Sequence, residues 1–185
     1  MNIHPLIIHF PIALLTVYAI CELIWSRRLA ISPSWIKLKG FLVIVGTLAA
    51  TAAYITGDWA QDALRQQSPD PATFAPLHNL IEVHSQFATF SLIVFWFLAV
   101  AYIIKLLRIA APHAAATLAA GEGWKTYAFR FVARFQRVVI DTPFVYLFAI
   151  GGLLLIMVTG ALGGSLVYGP DVDPFVTFVY KWLIK

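Results

Sequence analysis

The chain has 185 residues, of which 61% are hydrophobic and only 12% charged, and its formal net charge is +4. Soluble domains carry about 25% charged residues, so a water-soluble globular domain is excluded and lipid is the expected solvent. The basic residues flank apolar runs instead of gathering into a patch, which argues against nucleic acid as a partner and for orientation in a bilayer. The single cysteine, Cys21, lies inside an apolar run, so a disulfide framework and a CxxC site are excluded as well.

Four stretches are long and apolar enough to cross hydrocarbon about 30 Å thick, which takes about 20 helical residues. The first covers residues 5–26 and opens on His4-Pro5-Leu6-Ile7-Ile8-His9-Phe10-Pro11. It has neither the basic flank nor the small-residue cleavage site of a signal peptide, so it is expected to stay as a span. The second, residues 38–57, is rich in small residues (Gly46, Thr47, Ala49, Ala50, Ala52, Ala53) that let helices approach closely in lipid. A polar connection from Gly57 to Ala75 follows, with Asp58, Asp62, Arg65 and Asp70. The third span, residues 77–107, carries His78, Glu82 and His84 in its first turns.

Between spans three and four, residues 124–140 alternate aromatic and basic side chains, among them Lys125, Tyr127, Arg130, Phe131, Arg134, Phe135 and Arg137. That pattern predicts an amphipathic helix lying at the interface and facing anionic headgroups. His113, in the same connection, reads as an ordinary solvated side chain. The fourth span, residues 143–168, contains Gly151-Gly152 and a Gly160-x-x-x-Gly164 step, which predicts close helix packing. The tail, residues 169–185, holds Asp171-x-Asp173-Pro174 and then an aromatic amphipathic segment. The expected fold is all-α: one integral membrane four-helix bundle with an interfacial helix between spans three and four.

The first and third connections hold Arg27, Arg28, Lys37, Lys39, Lys105, Arg108, Lys125, Arg130, Arg134 and Arg137, against only Arg65, Lys181 and Lys185 on the other side. By the positive-inside rule the basic connections are cytoplasmic, and both termini are expected in the periplasm of a bacterium with the chain in its inner membrane. His4, His9, His78 and His84 then lie at the outer ends of two parallel helices. At 1.5 Å per residue, His9 sits about 7.5 Å below His4 and His84 about 9 Å below His78. Depth alone suggests an outer pair, His4 and His78, and an inner pair, His9 and His84.

A weak internal repeat supports that pairing. Ala13 and Thr16 follow His9 at the offsets at which Ala88 and Ser91 follow His84, and Thr56-Gly57 is echoed by Thr159-Gly160. Two related helix hairpins about an axis normal to the membrane are expected. The register depends on Pro11: a regular helix holds His4 and His9 about 140° apart, whereas unwinding there would let both face one site.

Paired imidazoles at this depth suit a heme, which takes an axial ligand from each face. His9 and His84 are the expected ligands of a heme b between spans one and three. His4, His78 and Arg65 would lie near its propionates, and Gly163 and Gly164 would make room for a flat ring. Electrons would pass between the quinone pool and a periplasmic cytochrome. Imidazole also suits copper or another transition metal, with Asp58, Asp62 or Glu82 completing the site. Glu82, as an intramembrane acid, is a candidate for a proton path or quinone pocket. The bland reading is a cofactor-free subunit of a larger membrane complex, its histidines serving as interfacial hydrogen-bonding groups. No nucleophile–base pair, phosphate loop or HExxH motif is present, so hydrolase chemistry is not expected.

The run from His4 to Ala13, the Thr56-Gly57 step, His78 and His84, and Gly163-Gly164-Ser165-Leu166-Val167-Tyr168-Gly169 together resemble a bacterial family of four-span predicted membrane proteins, domain of unknown function 2231. The resemblance covers nearly the whole chain and implies no established activity. Some proteins of that kind are joined to cytochrome c-type domains, which would favour electron transfer, although this chain has no CxxCH motif.

Overall fold

In hydrocarbon every backbone N–H and C=O must find its partner within the segment, so apolar runs of this length become helices. The computed structural model describes residues 4–24, 29, 32–67 and 71–184. Its helices are α1 (His4–Leu23), α2 (Pro33–Gln67), α3 (Pro71–Ala110), α4 (Pro112–Ala120), α5 (Trp124–Ile140), α6 (Phe144–Tyr168) and α7 (Pro174–Leu183). Four of them, α1, α2, α3 and α6, are long and apolar enough to cross a membrane. No strand forms among the described residues. Among the described residues the chain is therefore all-α, a membrane protein with four candidate spans. Arg27, Arg28, Asp70 and the side chain of Arg65 lie outside the described residues.

The polar connection expected between spans two and three is mostly helical. Beyond Gly57, α2 continues through a sequence of good helix formers (Ala60, Gln61, Ala63, Leu64, Arg65, Gln66) to Gln67, and α3 already begins at Pro71. Alanine-rich α4, with Pro112 in its first turn, was not expected either. The amphipathic helix α5 has the predicted ends. It buries Ala133, Gln136, Val139 and Ile140, while Trp124, Tyr127 and Phe131 stay exposed. At the tail, Asp173 caps α7 by accepting from the Phe175 and Val176 amides at 2.8 and 2.9 Å. Val176 and Val179 then pack beside Ala161 and Leu162 of α6.

The spanning helices stand in a ring. Both α1 and α3 pack against α2 and α6, so α1 and α3 face each other across the diagonal. They run parallel, and the core lies between them: Leu15 and Tyr18 meet Phe95, Leu98 and Tyr102, with Tyr18 edge-on to Tyr102 at 5.8 Å.

Two glycines permit this packing. A Cβ on Gly46 would fall 2.6 Å from Leu15 Cδ2, and one on Gly152 would fall 2.7 Å from Phe95 Cζ. Leu15 stands eleven residues after His4, and Phe95 eleven after His84; Gly46 stands eleven before Gly57, and Gly152 eleven before Gly163. Eleven residues are about three turns, so each hairpin presents the same contacts at two levels. The repeat of two hairpins is present in the packing, in a register that aligns His84 with His4. Gly160 meets nothing within 4 Å of an added Cβ and is exposed. The Gly160-x-x-x-Gly164 step is therefore not a packing seam: its two ends face different surroundings.

Candidate functional site

The histidines are sorted by helix face. Because α1 is helical from His4 straight through Pro11, His4 turns inward and His9, about 140° away, is exposed. His78 and His84 are six residues apart on α3, again on different faces, and His78 is exposed. The inward residues are His4 and His84: one stands against Gly57 and the other against Gly163, at equivalent levels of the two hairpins. The structure thus brings His84 together with His4 and not with His9. His78 instead stands 3.9 Å from Glu82 on the outer face of α3, with both side chains about half exposed. Glu82 shares the His78 face, as its spacing predicts, and stands apart from the inward pair.

Each inward ring packs closely against the helix that follows it in its hairpin. A Cβ on Gly57 would come within 3.2 Å of His4 Cε1, and a Cβ on Gly163 would come equally close to His84 Cε1. Gly163 therefore backs a histidine, whereas Gly164 faces Val176 of α7 and belongs to the packing of the tail.

The hydrogen bonds fix the rings' protonation. His84 Nδ1 is 3.1 Å from the Thr159 carbonyl, which can only accept, so Nδ1 carries the proton. His4 Nδ1 is 3.1 Å from Thr56 Oγ1. Thr56 gives its own hydroxyl proton to the Ala53 carbonyl at 3.0 Å, so it accepts from His4. The Ala53 carbonyl also bears on the His4 ring. Ala53 stands four residues before Gly57, as Thr159 stands four before Gly163, so the supporting carbonyls are equivalent too. In both rings, when neutral, Nε2 is the nitrogen with the lone pair. Burial holds the His4 imidazole below its ordinary value of 6.5, although the Ala53 carbonyl pulls it partly back.

Among the described residues, no three His, Cys, Asp or Glu side chains gather as a metal-binding group. The inward pair offers two imidazole donors, and Asp58, Asp62 and Glu82 do not complete a third.

One polar centre escaped the sequence reading. Five turns beyond His4, Glu22 is buried at 5% exposure. It accepts from Lys39 at 2.7 Å and from the Tyr102 hydroxyl at 2.6 Å. Tyr102 stands five turns beyond His84, so this centre occupies the same diagonal at its other end. An acid inside an apolar run is a signal by itself, and Glu22 could have been singled out on that ground.

A family model described as predicted membrane protein (DUF2231) matches residues 1–173. The chain belongs to this family of membrane proteins, whose description assigns no activity. No curated protein and no solved structure matches the chain.

Proposed function

We propose that His4 and His84 would hold a heme b between α1 and α3, and that the protein is a b-type cytochrome-like electron carrier. The observation that carries this reading is the matched pair of inward imidazoles, each with Nδ1 engaged by its own hairpin. Ligating histidines are commonly oriented in this way by a second partner on the other ring nitrogen. A donor set of two suits a heme, which brings its other four nitrogens with it, better than a metal held by protein alone, which needs three or four ligands. Bound there, the heme would supply a one-electron couple.

The surrounding residues hold and shield that place. Gly57 and Gly163 let the rings lie close to the backbone, while Leu15 and Phe95 close the axis three turns further in. A groove of about 640 Å³ on the α2–α3 side, lined by Tyr54, Thr89, Trp96, Phe97 and Phe135, gives a quinone an apolar approach. The Tyr54 and Thr89 hydroxyls stand 3.2 Å apart at the histidine end of that groove. With the basic connections on the cytoplasmic side, the pair faces the periplasm of the inner membrane and a soluble cytochrome there.

The test is a reduced-minus-oxidised spectrum of the protein purified in mild detergent after expression with ample heme. A Soret and an α band are expected in the unaltered protein. His4→Ala and His84→Ala should abolish them, and His9→Ala and His78→Ala should not. A protein without porphyrin absorbance overturns the reading. Stoichiometric copper in elemental analysis would instead select a metal-binding protein, since imidazole also suits that ion. A folded protein with neither group would be a structural subunit whose histidines simply tie helices together.

A further inference from the structure

At the end of the bundle remote from the histidines, α5 meets α6 at a cleft of about 490 Å³ lined by Arg134, Arg137, Val138, Asp141 and Thr142. Its charges are unevenly matched. Asp141 has both oxygens engaged, by Lys105 at 2.6 Å and by Gln136 Nε2 at 3.0 Å, and Gln136 Oε1 accepts in turn from Arg108 at 2.5 Å. Arg130, one turn before Arg134, gives two N–H groups to the Ala119 carbonyl at 3.1 and 2.9 Å. Arg134 and Arg137 take part in none of the ion pairs among the described residues. Two uncompensated guanidinium groups, three residues apart on one helix, therefore border the same cleft.

The level of the cleft identifies what can neutralise them. The apolar run of α3 gives way to charge at Lys105 and Arg108, and α6 enters its apolar run at Phe144, just beyond Thr142. The cleft thus lies where hydrocarbon ends. Val138 in its lining, and Phe144 and Leu147 in the first turn of α6, present exposed apolar surface.

We propose that Arg134 and Arg137 form a site for the phosphate of an anionic glycerophospholipid. The two guanidinium groups take the phosphodiester through paired N–H···O bonds, and the acyl chains lie on the neighbouring apolar residues. Thr142 offers a hydroxyl oxygen to the headgroup's own donors. This site is independent of the reading of the histidine pair.

The test uses the full chain in detergent and native mass spectrometry with phosphatidylglycerol or phosphatidylcholine added. One phosphatidylglycerol should be retained in preference to phosphatidylcholine. R134Q/R137Q should weaken that retention about thirty-fold, the product of two headgroup-level cations. K125Q/K181Q, which removes the same charge elsewhere, should retain the lipid, and R134K/R137K should keep part of it, which guards against a folding defect. Equal retention by R134Q/R137Q, equal loss in K125Q/K181Q, or no preference over phosphatidylcholine overturns the proposal. So does displacement of the lipid by inorganic phosphate or an acidic peptide at comparable concentration, which would assign the cleft to a soluble partner.

Discussion

The two ends of the α1–α3 diagonal occupy equivalent positions in two repeated hairpins, yet they are chemically opposite. At one end the repeat places like against like, His4 facing His84, each tied backwards to its own hairpin. Five turns away it places unlike against unlike: Glu22 accepts from Tyr102, and Lys39 neutralises the acid. The second centre completes itself, donor to acceptor and charge to charge. The first sets two imidazoles opposite each other, each tied through Nδ1 to its own hairpin. Equivalent positions yield a self-complementary brace at one end and a pair of like groups at the other, according to whether the facing residues complement one another.

The largest expected effect breaks the brace. Glu22→Ala would leave Lys39 charged and buried, and removing one partner of a buried pair costs about 3–5 kcal/mol. A large fall in melting temperature in detergent should follow, and Glu22→Gln combined with Lys39→Met should recover most of it. If Glu22→Ala melts like the parent, the brace is not structural. Next in size is the level between the ends. Gly152→Val would drive a methyl group into Phe95, and overpacking of this kind costs about 1–3 kcal/mol; Gly151→Val, which meets open space, should cost less.

A smaller effect bears on the histidine end. Gly57→Ala and Gly163→Ala should each push a histidine ring by a few tenths of an ångström and alter any spectrum of the His4–His84 site with little change in melting temperature. Equal spectra in both variants would separate the glycines from the site.

The smallest effect is a pH dependence. The folded state holds His4 below 6.5, so as the pH falls through that value the unfolded chain takes the proton more readily and stability declines; above it the contribution is complete. Melting temperatures at pH 7.5 and 5.5 should differ less in His4→Gln than in the parent. An unchanged difference would remove His4 as its source.

The sequence revealed the number of spans, the ends of α5 and the shared level of the histidines, because apolar length and amphipathic period are local properties. The pairing was not legible. It required knowing that α1 stays helical through Pro11, which turns His9 outward, and that α3 starts as early as Pro71. Depth alone joins His9 to His84. The small-residue match at Ala13 and Ala88 favours that register, whereas the true equivalents differ in residue type: Leu15 with Phe95, both apolar but unlike in shape, and Glu22 with Tyr102, an acid and a phenol. What carries the repeat is spacing: eleven residues from each histidine to the residue that fills the other glycine of its hairpin.

The closed layer formed by Leu15 and Phe95 on Gly46 and Gly152 gives the molecule a sidedness. Beneath His4 and His84 the axis is filled by these side chains, both at most 2% exposed, and about 27 Å of helix separates the histidines from Glu22. Anything polar that reaches the two imidazoles must arrive from their own face of the membrane. In sealed vesicles an impermeant reagent would find the histidines from one bath and not from the other.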